Sequence, residues 1–412
     1  MNRLRAALSM LAAAVLCACG EPEASIPTLG WYVFDEPSGA FVEAARRCSA
    51  DSAGDYRIEV RALPSDASQQ REQLVRRLAA ADPDIDLIGM DVIWTAEFAQ
   101  AGWILAWSRH ETAAVSAGRL AATVESASHA GRLWAAPFTT NTQLLWYRSD
   151  RVQTPPRTWD EMIEHAEALG EGGAIAAQGE RYEGFTVFFV SLLASAGGSV
   201  LDAEGERLAL QTEPTLRVLA LMRRLGRSKA ALSDLPNARE DQSRLAFEAG
   251  RAAFMLNYTY VWPSAARNAP QVAARMRWAR WPAVDPRRPS RVALGGINIG
   301  VGAFTRHPRL AFAAAACLVS LDNQRRAAVQ GGLPPTASAL YDDPEVVQAL
   351  PFAATLRETL RDAVQRPRTP LYSDVSLAIA RTLHPMHRIE PERDLDRLRE
   401  ALRRALSSRG LL

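Results

Sequence analysis

The chain has 412 residues, 48% of them hydrophobic and 23% charged, with a formal net charge of +2 at pH 7. That is the composition of a globular protein, long enough for two domains. No run of like charge stands out, and without a basic patch there is no electrostatic footprint for nucleic acid. Lys229 is the only lysine; the scattered arginines read as solvated helix faces.

The first nineteen residues read as an export signal. Arg3 and Arg5 supply the positive start, and residues 6–16 form an apolar run too short to cross a hydrocarbon core of about 30 Å. The run ends in Leu16-Cys17-Ala18-Cys19, the spacing of a bacterial lipobox. Cys19 would then carry the lipid, and residues 20–27 would form a tether. No later stretch is long and apolar enough to span a bilayer, so the rest of the chain is expected outside the cytoplasm, anchored to the membrane through Cys19. Two cysteines lie beyond Cys19, Cys48 and Cys317. In an oxidising compartment they could pair, or they could be two separate buried thiols.

The mature chain opens with alternating strand-like and helix-like segments. Residues 29–34 are β-branched and aromatic, and Ser38 is placed to cap a helix running through Cys48. Tyr56, Ile58 and Val60 alternate with polar residues, predicting a half-buried strand. A helix from about Ser65 sets Leu74, Val75 and Leu78 on one face. Residues 85–90, after Pro83, suit a strand buried on both sides. This β-α-β-α-β succession predicts a mostly parallel α/β sheet. Further strands are expected at residues 143–147, 254–256 and 297–301. Thr158 with Glu161 forms a capping box at a helix start. Long helical stretches are expected from about 185 to 224 and from Pro308 to Leu321.

Several phrases carry a resemblance to a known family. They are Asp86-Leu87-Ile88 with Trp94-Thr95-Ala96-Glu97-Phe98; Pro137 to Asn141 with Trp146-Tyr147; Pro156-x-Thr158-Trp159-Asp160-Glu161; Phe247-Glu248-Ala249-Gly250-Arg251-Ala252-Ala253; and Gly295-Gly296-Ile297-Asn298. In this order they resemble the family-1 extracellular solute-binding proteins of ABC sugar importers. Within that family the segment 89–104, with Thr369-Pro370-x-Tyr372-Ser373, is similar to the trehalose-binding lipoproteins of actinobacterial importers. The resemblance implies an α/β, two-lobed periplasmic-binding-protein fold with a ligand cleft at the hinge. It implies one lobe from residues 28–138 plus 291–323 and another from 139–290 plus 324–412. It also implies a small carbohydrate ligand, most of all trehalose, otherwise maltose or another glycoside, and importer permease subunits as partners. A monomer without cofactor is expected.

A disaccharide presents hydroxyls and apolar C–H faces, so its site needs carboxylates, amides and an aromatic platform. By resemblance, Glu36, Gln70, Asp91 and Asn141 are placed on the first lobe or its hinge. Glu240, Tyr258 and Arg366 face them, and Gly295 and Gly296 let backbone approach the sugar. Asp91 also follows a buried strand at its carboxyl end, where open α/β sheets bind ligands. The family often has tryptophan after the asparagine where this chain has Asn257-Tyr258, so Tyr260 or Trp262 could be the platform instead. A glycosidase would use Asp91 and Glu240 as its carboxylate pair, but carboxylates on opposite lobes suit gripping better than hydrolysis. His384-Pro385-Met386-His387 is the only close histidine pair, and its proline spoils a helical metal site. No catalytic or metal-ligating set is predicted.

Overall fold

The computed structural model describes residues 26–407. The signal segment 1–19, Cys19 and residues 20–25 lie outside the described residues. Among the described residues no helix is long and apolar enough to cross a membrane.

The strands in chain order are β1 (Thr28–Phe34), β2 (Arg57–Leu63), β3 (Leu87–Asp91), β4 (Ile104–Leu105), β5 (Ser128–His129) and β6 (Arg132–Leu133). They continue with β7 (Ala135–Asn141), β8 (Leu144–Arg148), β9 (Ala174–Ala176), β10 (Ala252–Asn257), β11 (Met276–Ala279) and β12 (Gly295–Gly302). One sheet runs β2-β1-β3-β12-β4, with β7 also paired to β12; a second runs β11-β8-β10-β9. β1 is parallel to β2 and β3, as the alternating elements predict. β12 enters between them and the rest antiparallel to β3, β4 and β7, so the sheet is mixed. That strand arrives from two hundred residues away, and no local pattern announces its direction.

The first large sheet packs one core and the second packs two, the further one around Trp146 and Phe352. Trp31, Phe41, Phe98 and Phe138 are buried in the first lobe, and Trp159, Phe185, Phe188 and Phe189 in the second. The capping box forms as expected: Thr158 accepts from the Glu161 N–H at 3.2 Å, and the Glu161 carboxylate takes the Thr158 N–H. The first helix, Ala40–Asp51, is capped differently. Its N-cap is Gly39 at φ 79°, and the Glu36 carboxylate accepts from the N–H groups of Ser38 and Ala40. The expected helix from 185 to 224 is two helices, Glu183–Ser195 and Thr212–Arg227. Gly197 ends the first at φ 87°, a conformation that costs glycine least, and the intervening chain makes short bridges on itself. Likewise the helix from Pro308 stops at Leu318, and Ser320 caps a new one over Leu321–Gly331.

Cys48 and Cys317 are joined in a disulfide, Cα to Cα 5.8 Å, which ties the first helix to helix Pro308–Leu318. Asp86, in one of the family-like phrases, is a structural group. It is 3% exposed and accepts from the Gly30 N–H at 2.8 Å and from the Thr305 hydroxyl, fastening β1 to the start of β3.

Three passages of chain lie side by side between the sheets. β7 reaches β8 across only Thr142 and Gln143. Residues 292–294 pair with Val364 before β12 begins. The stretch after helix Leu321–Gly331 lies against β7, with the Thr140 N–H donating to the Pro334 carbonyl at 2.9 Å. These passages place the carboxyl end of β3, the end of β7 and the start of β12 at one cleft.

Candidate ligand-binding cleft

The cleft between the lobes encloses about 640 Å³ and is lined by Asp91, Asn141, Glu240, Tyr258, Tyr260, Gly295, Gly296 and Arg366 among others. These eight are sequence-predicted site residues. All but Arg366, which lies in the loop before helix Tyr372–Leu383, sit at or beside the end of an element. Asp91 ends β3 and accepts from the Ile93 N–H at 3.2 Å. Asn141 ends β7, and its amide oxygen is buried with no hydrogen-bond partner among the described residues. Gly295 and Gly296 begin β12; a Cβ on Gly295 would sit 2.1 Å from the Asn141 amide oxygen, and one on Gly296 2.2 Å from the Thr139 carbonyl. Glycine at these positions lets the start of β12 pack closely on the end of β7, beside Asn141.

The opposite wall comes from the second lobe. Glu240 opens helix Glu240–Glu248, and the Asn257 amide donates to the Glu240 carbonyl at 2.9 Å, fixing that helix start against the end of β10. Burial pushes the Glu240 carboxyl above the usual carboxylate range. Tyr258 follows β10 directly, and burial raises its hydroxyl pKa. Tyr260 donates to the Asp241 carboxylate at 3.2 Å.

Arg366 joins the walls. It is 6% exposed, donating to Asp91 at 2.7 Å on the first lobe and to Glu183 at 2.9 Å on the second. Glu183 also accepts from the hydroxyls of Tyr372 and Ser376. Burial raises the Glu183 carboxyl pKa, with Arg366 and the two hydroxyls pulling it down.

Three predicted residues stand elsewhere. Glu36 holds the turn before the first helix, where Ser38 and Ala40 consume its carboxylate. Gln70 is 5% exposed, and its amide donates to the Ser65 carbonyl at 3.2 Å. Trp262 packs in an aromatic cluster, 6.4 Å from Trp146, 5.5 Å from Trp278 and 6.1 Å from Phe352. It is partly buried against that cluster and is not among the residues lining the cleft, whose aromatic groups are Phe34, Tyr182, Tyr258 and Tyr260.

Glu183, Tyr182, Asp66 and Arg239 also line the cleft and escaped sequence reasoning. Tyr182-Glu183 sits just ahead of an all-round apolar helix, so starting that helix at Phe185 left both outside. An acid at the first position of a buried helix was the available signal. The carboxylates Asp91 and Glu240 stand on opposite lobes, and Asp91 is already held by Arg366. His384 bonds the Pro236 carbonyl through its ring, and no cluster of three metal-ligating side chains occurs among the described residues.

This two-lobed architecture with a polar cleft at three chain passages has known counterparts. The family model for bacterial extracellular solute-binding proteins matches residues 43–355. The chain belongs to this family. A relative from Deinococcus radiodurans, named a probable ABC transporter-binding protein, is 27% identical over 78% of this chain and 80% of its own. The structure of maltose-bound T. maritima MalE3 superposes with a TM-score of 0.83 at 27% identity, covering 91% of this chain and 99% of that one. The GacH receptor of Streptomyces glaucescens, solved with and without acarbose, superposes with a TM-score of 0.81 at 19% identity, covering 93% and 99%. The solute-binding protein described above thus has the two-lobed fold of maltose-binding-type periplasmic proteins.

Proposed function

We propose that this solute-binding protein is the substrate-binding component of an ABC importer and captures a disaccharide, trehalose first, by closing its two lobes over it. The observation that carries this is the cleft itself. It offers carboxylates from both lobes, the Asn141 amide, the Arg239 and Arg366 guanidinium groups and three tyrosine rings, the mixture a sugar's hydroxyls and C–H faces require. Contacts made from both sides favour the closed population, and the closed form would dock on the permease. The proposal includes a lipid anchor at Cys19 and lobes divided near residues 138, 290 and 323. Maltose is the second reading, supported by the maltose-bound relative at 27% identity.

A thermal-shift and calorimetric screen of the protein lacking its first nineteen residues tests this. The panel is trehalose, maltose, sucrose, glucose and longer oligosaccharides. A ligand at one hundred times its Kd stabilises the native state by about 2.7 kcal/mol. A shift with trehalose alone supports the first reading and a shift with maltose the second. Silence across the panel overturns both.

A further inference from the structure

Beside the main cleft lies a second cavity of about 430 Å³. Its far wall includes Arg71, Trp94, Arg181, Tyr372 and Ser373. The two cavities share Asp66, Ser68, Tyr182 and Arg239 in the wall between them. Arg239 stands in that wall and is held there from three directions. Its guanidinium donates twice to Glu180, at 2.8 and 2.7 Å, and lies 4.7 Å from the centre of the Tyr182 ring. Its remaining nitrogen crosses to the first lobe and donates to Asp66 at 3.0 Å. Asp66 is equally committed, because its other oxygen caps helix Ala67–Ala79 through the Gln69 N–H at 3.1 Å. A surface arginine normally swings freely; this one is kept in a fixed plane between two cavities.

We infer that the Arg239–Asp66 pair partitions the cleft and sets the length of the ligand, confining it to the main compartment; this rests on the sugar reading above. The second compartment is suited to a further sugar ring. The side chains of Ser68, Ser373 and Arg181 carry no protein hydrogen bond among the described residues and face it with hydroxyl and guanidinium groups. The wall that separates that ring from the first, which also holds Ser68, Tyr182 and Glu183, is crossed from lobe to lobe by this ion pair, whose partners are 38% and 26% exposed. Length selection is thus an obstruction built between two adjoining compartments.

Isothermal titration of the wild type, Arg239→Ala and Asp66→Asn with trehalose, maltose, maltotriose and maltotetraose tests the partition. The readout is the Kd ratio between maltotriose and the disaccharide that binds the wild type. Asp66→Asn keeps an oxygen for the Gln69 N–H, so it covers the case in which Arg239→Ala fails to fold. The wild type is expected to favour the disaccharide, and both variants to shift the ratio toward maltotriose by about tenfold or more. Equal weakening for both lengths would show that the pair serves only closure and would overturn the partition while leaving the sugar reading intact. A wild type that already prefers maltotriose overturns it too. A wild type that binds none of the four sugars overturns the partition and the sugar reading together.

Discussion

Among the arginines that bridge the lobes, Arg366 and Arg239 do so in opposite surroundings. Arg366 lies at the floor of the cleft with its side chain 5% exposed, between Asp91 and Glu183 at 21% and 17%. Arg239 lies at a wall with its side chain 38% exposed, between Asp66 and Glu180. Each takes one carboxylate from its own lobe and one from the other. Removing one member of a buried set leaves an uncompensated charge, whereas an exposed pair is screened by water and salt. The same residue type therefore makes an obligatory contact in one place and a negotiable one in the other.

The largest test of that contrast is Arg366→Met. It should cost about 3–5 kcal/mol of stability and abolish sugar binding, as read by chemical denaturation and calorimetry. A loss below about 1 kcal/mol would erase the distinction between floor and wall. Reducing the Cys48–Cys317 disulfide should lower stability by about 2–5 kcal/mol while leaving Kd unchanged, because both bridges lie away from it. A matching loss of affinity would mean that first-lobe integrity, not the bridges, governs the cleft. Arg239→Gln should cost no more than about 1 kcal/mol and raise the open population of the sugar-free protein in solution scattering; an unchanged radius of gyration would count against a cross-lobe contact there.

The smallest effect is one of sign. Burial raises the Glu240 carboxyl above its ordinary value of 4.5, so the folded protein takes up that proton before the unfolded chain does. Its contribution therefore becomes more favourable as pH falls from neutrality toward 4.5. Asp202, held down to about 2 by Arg207 and backbone N–H groups, contributes in the other direction and loses its stabilisation in acid. The difference between wild type and Glu240→Gln in denaturation midpoint across pH 4 to 8, about the span of the titration, isolates the first. The wild type should gain on Glu240→Gln as pH falls, and a wild type that instead loses ground in acid would show that the carboxylate is stabilised in place.

Much of this was legible in the chain. The strands at β1, β2 and β3 and the Thr158 capping box come from short patterns whose period is set by backbone geometry; the Cys48–Cys317 pairing does not, since only the fold brings the two Cα atoms to 5.8 Å. Asp91 was legible because a carboxylate just past a buried strand is placed by that strand's end. Tyr258, Tyr260 and Trp262 share one local pattern, and only the packing of Trp262 against Trp146, Trp278 and Phe352 sets it apart from the two tyrosines that line the cleft. Glu36 is similar, since a loop acid reads alike whether it binds ligand or holds a turn. Sequence alone determined the alternating α/β elements, the polar character of the site and the family to expect. The tertiary structure decided which acids meet which arginines, across 275 residues for Asp91 and Arg366 and 173 for Asp66 and Arg239. Local patterning reflects the backbone's period, whereas desolvation and charge pairing depend on neighbours that only the closed chain brings together.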